Sequence, residues 1–338
     1  MLIDRSFFRT GVFSITAFVF LFTAVVSPVN AEDAVKSESP SVSETAYVPM
    51  DDPEALQKSI IRWSILGGTI PVTFLFGVKA WDWNGRHEPF SEREGWFQQS
   101  TSFGGQDKAG HFIAHYMFQR AVYNIFDYTE NGADRKFLYS LGTTMAVGLF
   151  IECGDSMTSQ YGFSWEDIVM DYSGAILGAV LDRYPTLDGF FAFSTEYIPT
   201  REFYNHGARK TNPALTVLTA VNDYSGYKTM INFKFDGFRR IGYDIPLALQ
   251  LLQFDVGYYT KGFSHYDALE KKAVGPSYAV QKTRNIFCGI SINTARIFEL
   301  SWENNRNGLY TAGHRALEFW HLPGYTYSKQ LSTKETPY

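Results

Sequence analysis

Cysteine is scarce in this chain, since only Cys153 and Cys288 occur among its 338 residues. Two isolated cysteines do not make the paired Cys-x-x-Cys ligands of a structural zinc site. They can pair in an oxidising compartment, but their spacing does not demand a disulfide. The sequence therefore leaves their pairing open.

Several motifs of well-known active sites are also missing. The chain has no His-Glu-x-x-His metal motif and no Gly-x-Ser-x-Gly elbow. Its glycine pairs, Gly104-Gly105 and Gly174 with Gly178, do not form the strand-loop-helix arrangement that cradles phosphate. Any chemistry must therefore come from residues that lie apart in the sequence.

An excess of positive charge is absent as well. The formal net charge is -5 and the sequence pI is about 5.8, with no basic stripe. Proteins that bind nucleic acid usually carry a basic patch. We therefore expect no nucleic-acid partner, while the oligomeric state stays open.

Long hydrophobic runs are lacking beyond the N-terminus. The apolar stretches at 65–78, 138–151 and 168–181 are each shorter than the roughly 20 residues that cross a bilayer. Runs of this length are more typical of buried or interfacial helices. They favour a packed bundle over a polytopic membrane protein and leave contact with a membrane surface open.

The N-terminus has the three parts of a secretory signal peptide. Residues 1–31 contain Arg5 and Arg9, an apolar run and a small-residue ending at Val29-Asn30-Ala31. A retained N-terminal membrane anchor is the alternative. No cysteine lies near the cleavage site, so we do not expect a lipoprotein. The polar segment 32–53 then predicts a flexible linker to a protein exported to the cell envelope, periplasmic or membrane-associated.

A helical bundle of about four helices is predicted for residues 54–190. After a helix at 54–80, one helix begins near Asp107, the next fills 135–152 and the last begins near Ser164. The short connections make consecutive helices antiparallel. The start of the first of these three, the end of the second and the start of the third should therefore meet at one end of the bundle.

This geometry gathers polar residues that can act together. His111 and His115 share an apolar helix face, and Asp171 lies on the glycine-lined face of the last helix. Mixed imidazole and carboxylate ligands suit zinc or manganese, whereas carboxylates alone suit magnesium. The candidates for catalysis are Asp107, His111, Glu152 and Asp171, and the same four residues with Asp155 are the candidates for a divalent metal. The candidates for ligand binding are Lys108, His115, Trp165 and Asp167.

Each of these residues also has a purely structural explanation. Asp107 can cap its helix, and Ser164 with Asp167 fits a capping box. Lys108 can serve as a counter-charge, and His115 as a hydrogen-bonded core histidine. Glu152 and Asp171 are harder to explain in this way, because burying their charges is costly without partners.

After Pro185 the residue pattern changes from one typical of helices to one typical of strands. Strands are predicted at 215–221, 228–235, 249–259, 286–293 and 297–302, where β-branched and aromatic residues alternate between turn signals. Ile231, Phe233 and Phe235 should share one face of their strand, opposite Asn232 and Lys234. We therefore predict an α+β fold in which an antiparallel β-rich region, 191–338, packs on the bundle.

The order of these motifs resembles a known family. Asp107-Lys108-Ala109-Gly110-His111, the acidic end of the next helix, Gly162-Phe163-Ser164-Trp165-Glu166-Asp167 and Val256-Gly257-Tyr258 are similar to the YfiM-type family of predicted periplasmic lipoproteins. A more distant similarity links the chain to VanZ-like membrane proteins. The resemblance implies a location in the envelope and transfers no activity.

Three hypotheses of function follow. The polar cluster can be structural, in an envelope protein that acts as a scaffold or binding module. It can hold a divalent metal that hydrolyses a phosphate ester of a lipid or another envelope component. It can instead recognise a lipid or glycan head group at the membrane surface, with Lys108 binding an anionic group.

Overall fold

The computed structural model describes residues 52–81, 83, 87–98, 100–129, 132–158, 161–208, 220–278, 281–302, 308–322 and 326–336. The signal peptide predicted at 1–31 and nearly all of the predicted linker lie outside these residues. Both therefore remain predictions.

Five helices make up the N-terminal part of the described chain. They are α1 (Pro53–Ala80), α2 (Gln106–Thr129), α3 (Ala133–Asp155), α4 (Trp165–Arg183) and the short α5 (Pro185–Phe190). Asp52 caps α1 by accepting a hydrogen bond from the Glu54 backbone, and Ser164 caps α4 by accepting one from Asp167. The sequence signals therefore place the starts of these helices to within one or two residues.

Close contact between α2 and α4 depends on glycine. A Cβ atom at Gly174 would lie 2.1 Å from the carbonyl oxygen of Phe112, so no larger residue fits there without a shift. One turn further along, a Cβ atom at Gly178 would lie 3.0 Å from the side chain of Gln119, a tight but less severe contact. The small-residue seam thus brings the polar face of α4 directly against α2.

The apolar core lies along α2. Tyr116, Val122 and Phe126 are fully buried, and Phe319 from the C-terminal part packs edge-on against Tyr116. Beside this core Arg120, also fully buried, pairs with acidic residues of α4 and α5. The contact between Tyr116 and Phe319 therefore extends the core of the bundle into the β-rich region.

The C-terminal part contains one antiparallel sheet of five strands in the order β1-β2-β3-β4-β5. The strands are β1 (Phe191–Tyr197), β2 (Tyr227–Lys234), β3 (Leu252–Lys261), β4 (Lys282–Ile292) and β5 (Thr326–Thr336). The fold is therefore α+β, with helices followed by an antiparallel sheet, as the sequence predicts.

Short helices connect the strands. They are α6 (Arg201–Phe203), which continues into a π-helical turn (Tyr204–Ala208), a 3₁₀ turn (Tyr224–Gly226), α7 (Gly237–Arg240), α8 (Leu247–Gln250), α9 (His265–Val274) with a 3₁₀ turn (Gly275–Ser277), α10 (Thr294–Ser301) and α11 (Gly308–Phe319).

Three of the strand predictions are confirmed, with ends shifted by up to four residues, one is wrong and one is not tested. The strand predicted at 297–302 is wrong, because α10 occupies this segment. Asn293 caps α10, and Phe298 stacks on Tyr310 of α11, so packing of an amphipathic helix overrides the local β pattern. The strand predicted at 215–221 falls almost entirely on residues outside the described part.

Two helices are long and apolar enough to cross a membrane, judged by length and composition only. The segments are Pro53–Val78, of which 17% is buried, and Ala133–Asp155, of which 39% is buried. Both therefore turn much of their apolar surface outward.

Candidate functional site

Two histidines of α2 converge on one carboxylate of α4. The Nδ1 atom of His111 lies 2.9 Å from Oδ1 of Asp171, and the Nδ1 atom of His115 lies 2.7 Å from the same oxygen. The histidines are one helical turn apart and therefore share a face. Asp171 reaches both because it lies on the close seam between α2 and α4.

Two polar atoms of this group are buried and unpaired. Oδ2 of Asp171 and Nε2 of His115 have no hydrogen-bond partner among the described residues. A Cβ atom at Gly148 of α3 would lie 2.9 Å from the first and 3.0 Å from the second. The absence of a side chain at Gly148 therefore leaves space beside both atoms.

Lys108 forms a second group with carboxylates from three parts of the chain. Its Nζ atom lies 2.7 Å from Oδ1 of Asp167 and 3.0 Å from Oδ2 of Asp107, and it also contacts Glu94. The lysine is 2% exposed. Its charge is thus committed to acidic side chains of the protein itself.

His111 joins the two groups through its other ring nitrogen. Nε2 lies 3.8 Å from Oδ1 of Asp107 and 3.8 Å from Oδ1 of Asp167. Two sets can therefore bring three potential metal ligands together among the described residues: His111, His115 and Asp171; or Asp107, His111 and Asp167.

The pKa values reflect this crowding of charge. Burial and the carboxylates of Asp107 and Asp167 raise the pKa of Glu94 to about 8. Burial opposes ionisation of Asp107, but Lys108 and His111 outweigh it and lower the pKa of Asp107 to about 2. Although burial works against it, attraction to Asp167 and Asp171 holds the pKa of His111 well above its usual value.

Glu152 is in neither three-residue set. It is almost fully buried, and its Oε2 atom accepts a hydrogen bond from the backbone nitrogen of Ser164 at 2.9 Å. The predicted capping box is therefore only half correct. The side chain of Ser164 accepts a hydrogen bond from the backbone nitrogen of Asp167, as the capping box requires. The backbone nitrogen of Ser164, however, donates to Glu152 and not to Asp167, whose carboxylate pairs with Lys108.

Asp155 and Trp165 are in neither three-residue set, although Asp155 is close enough for burial, Asp107 and Asp167 to raise its pKa to about 6. Asp155 accepts a hydrogen bond from the indole nitrogen of Trp83 at 2.6 Å. Trp165 is 68% exposed and packs edge-on against Phe163. The structure thus brings together Asp107, Lys108, His111, His115, Asp167 and Asp171 from the predicted site residues.

Sequence reasoning missed two members of the cluster. Glu94 comes from the long connection before α2, and Tyr224 donates a hydrogen bond to Oδ1 of Asp107 at 2.8 Å from the β-rich region. Periodicity cannot find either residue, because neither lies on a predicted helix face. Only the packing of the two parts brings Tyr224 to the bundle end.

Comparison with known proteins gives one family match. Residues 93–183 match the model of a family described as predicted periplasmic lipoprotein (DUF2279). No curated protein and no solved structure matches the chain. Similarity to the YfiM-type and VanZ-like proteins therefore stays a prediction.

The matched residues contain every member of the polar cluster except Tyr224, since Glu94, α2, α3 and α4 all lie within 93–183. The family description supports a periplasmic location. This chain thus contains a region similar to a predicted periplasmic lipoprotein family.

Proposed function

We propose that this envelope protein binds a divalent metal ion through His111, His115 and Asp171. The observation that carries the proposal is the convergence of both imidazoles on one buried carboxylate, next to two buried polar atoms without partners. Buried polar atoms are normally paired, and each unpaired one calls for an explanation. A bound ion beside Gly148 supplies it.

The donor set favours a particular class of ion. Two imidazole nitrogens with one carboxylate suit zinc or manganese better than calcium or magnesium, which prefer oxygen ligands. A metal-bound histidine usually donates its other ring N–H to an outer carboxylate. Asp107 and Asp167, on the far side of the His111 ring, are in a position to take that role.

A second candidate function is a scaffold in which Lys108 is the only cation that the cluster needs. Its contacts with Glu94, Asp107 and Asp167 favour this alternative, because three carboxylates already share one ammonium group. The alternative leaves the unpaired atoms of His115 and Asp171 without an explanation. For that reason we place metal binding first.

Recognition of an anionic head group without a metal requires a free cation for the ligand's negative charge. Lys108 is the lysine nearest the cluster, and its buried ammonium group is surrounded by the protein's own carboxylates. The geometry therefore supports ion binding better than head-group recognition, whereas hydrolysis of a phosphate ester would itself depend on the bound ion.

Metal analysis of the purified full chain tests the proposal. We expect about one zinc or manganese ion per chain after gentle purification, and a higher melting temperature when either ion is added to stripped protein. The variants His115→Gln and Asp171→Asn should lose both effects. His265→Gln and Asp134→Asn, at exposed positions, are matched controls that should retain them.

A negative result also has a clear meaning. Protein without stoichiometric metal, and without a thermal shift on adding zinc or manganese, would overturn metal binding. If Asp171→Asn then lowered the melting temperature equally with and without the ions, the scaffold would be the correct alternative.

A further inference from the structure

The central strands of the sheet bury their polar side chains and expose their apolar ones, which is the reverse of a sheet with one face in water. On β2, Asn232 is buried whereas its neighbour Ile231 is 49% exposed. On β3, Asp255 is buried whereas Val256 is 40% exposed. An antiparallel sheet in water normally buries the apolar face and exposes the polar one.

The strand β4 continues the same pattern. Ser291 is buried, whereas Ile286 is 44% exposed and Ile290 is 50% exposed. The register places Phe254 of β3 directly opposite Ile290. Because such neighbours touch across strands, the outward apolar side chains form one continuous surface.

This outer surface extends over three strands. Two rows cross it, in which Phe233 faces Phe254 and Ile231 faces Val256. We call it the outer sheet face, and its members are Ile231, Phe233, Phe254, Val256, Ile286, Cys288 and Ile290.

The inner face is a connected polar network. Asn232 donates a hydrogen bond to Asp255 at 2.7 Å, and Ser194 donates one to Asn232 at 2.8 Å. Ser291 is 2.9 Å from a ring nitrogen of His321. These bonds pair most polar groups of the network, although Oδ2 of Asp255 has no hydrogen-bond partner among the described residues. The reversed polarity is therefore a consistent feature of the register.

The helices repeat the pattern on independent elements. Trp63 and Leu75 of α1 are each 64% exposed, and Leu138 of α3 is 63% exposed. They lie in the two segments that are long and apolar enough to cross a membrane. A soluble protein seldom exposes apolar surface on so many elements.

We propose that the outer sheet face contacts the acyl chains of a lipid bilayer. Strands with apolar residues outward and polar residues inward are characteristic of protein surfaces in lipid. Water outside this face would leave its apolar area exposed at a cost.

The distribution of charge supports lipid as the occupant. None of the seven members of the outer sheet face is charged, and the first charged position beside it is Lys329 of the edge strand β5, opposite Cys288. Basic residues stand at one end of the sheet, where β3 finishes with Lys261 and β4 starts with Lys282 and Arg284. An uncharged centre with a basic end suits hydrocarbon next to anionic head groups.

Spin labels on the full chain test the proposal. In a background of Cys153→Ser and Cys288→Ser, labels are attached after Val256→Cys or Ile290→Cys, with Ala268→Cys on the exposed side of α9 as control. The protein is reconstituted into vesicles of phosphatidylethanolamine and phosphatidylglycerol. We expect the sheet labels to collide more with oxygen, which partitions into hydrocarbon, than with a water-soluble nickel complex, and the control label to show the reverse.

Two results would overturn it. If the sheet labels collide with the nickel complex as often as the label at Ala268→Cys does, the outer sheet face lies in water. Sheet labels shielded from both reagents, with spin–spin broadening that disappears on dilution with unlabelled chain, would mean that a second copy covers the face.

A further variant covers the case in which substitution in the sheet prevents folding. Cys288 already lies on the outer sheet face and is a free thiol. Labelling it in a Cys153→Ser chain changes no residue of the sheet and should give the same preference for oxygen. The test does not depend on metal binding, so the two proposals can fail separately.

Discussion

The side chain of Glu152 accepts a hydrogen bond from the backbone nitrogen of Ser164 at 2.9 Å, and so joins the last turn of α3 to the start of α4. Ser164 in turn accepts the backbone N–H of Asp167. These two bonds fix where α4 begins and therefore where Asp167 and Asp171 lie. The cluster thus depends on a contact that is itself outside any metal set.

Removing this contact should lower stability. Glu152→Ala leaves the buried N–H of Ser164 without its acceptor, which costs about 1–3 kcal/mol in the free energy of unfolding. Glu152→Gln retains an acceptor oxygen and should cost less. Denaturant unfolding of both variants measures the difference, and equal stability of the two would contradict the assigned role.

Filling the space beside Gly148 should abolish metal binding. A methyl group there would come within 2.9 Å of Asp171 Oδ2 and 3.0 Å of His115 Nε2. Gly148→Ala should therefore lose the thermal shift with zinc or manganese. Gly142→Ala, in the same helix with nothing within 4 Å of the new methyl group, should retain the shift and gain up to about 1 kcal/mol in stability. Metal binding that survived Gly148→Ala would place the ion elsewhere.

Metal affinity should increase with pH. Asp167 and Asp171 raise the pKa of His111 well above its usual value, although burial opposes this. His111 is therefore protonated when no metal is bound, and the ion must displace that proton. Calorimetry in buffers of different ionisation enthalpy should detect proton release on binding and a weaker affinity at lower pH. An affinity independent of pH would exclude His111 as a ligand.

A separate acid-sensitive contact lies in the C-terminal part. Burial alone would raise the pKa of Glu299, but His314 and Arg296 outweigh it and lower this pKa to about 2, from 4.5 in the unfolded chain. A lowered folded-state pKa stabilises the protein above pH 4.5 and loses this effect as the pH falls towards 2. Glu299→Gln should thus lower the unfolding free energy by up to about 3 kcal/mol at pH 7 and by much less near pH 2. An equal loss at both pH values would contradict this pairing.

Lys108 should be essential for stability rather than replaceable by an apolar residue. Lys108→Met leaves Asp107 and Asp167 buried beside each other without their cation, which costs about 3–5 kcal/mol. Lys58→Met removes a surface pair with Glu54 and a cation–π contact with Tyr128 and should cost about 1 kcal/mol, well below the cost of Lys108→Met. Thermal unfolding compares them, and a mild effect of Lys108→Met would mean that the carboxylates are not charged together.

The helical half of the fold and the centre of the cluster could be predicted from the sequence. Short connections imply antiparallel helices, and helical spacing puts His111 and His115 on one face. These two rules are sufficient to bring both histidines to Asp171. They do not place Glu94 or Tyr224, whose contacts arise from tertiary packing.

The sheet was harder to predict at its edges. The strand β1 follows α5 directly, with no turn residue to separate them, and β5 reads Thr326-Tyr327-Ser328-Lys329-Gln330, with little apolar alternation. Both are recognisable only through pairing with β2 and β4. The reversed polarity of the central strands is equally hidden, because alternation shows that two faces differ and not which of them is covered.

Anomalous diffraction at the zinc edge from crystals of the full chain soaked with zinc tests the central claim most directly. The account predicts one strong peak at about 2.0–2.2 Å from a ring nitrogen of His111, a ring nitrogen of His115 and a carboxylate oxygen of Asp171. Zinc-soaked crystals with no peak within coordinating distance of these three side chains would contradict it.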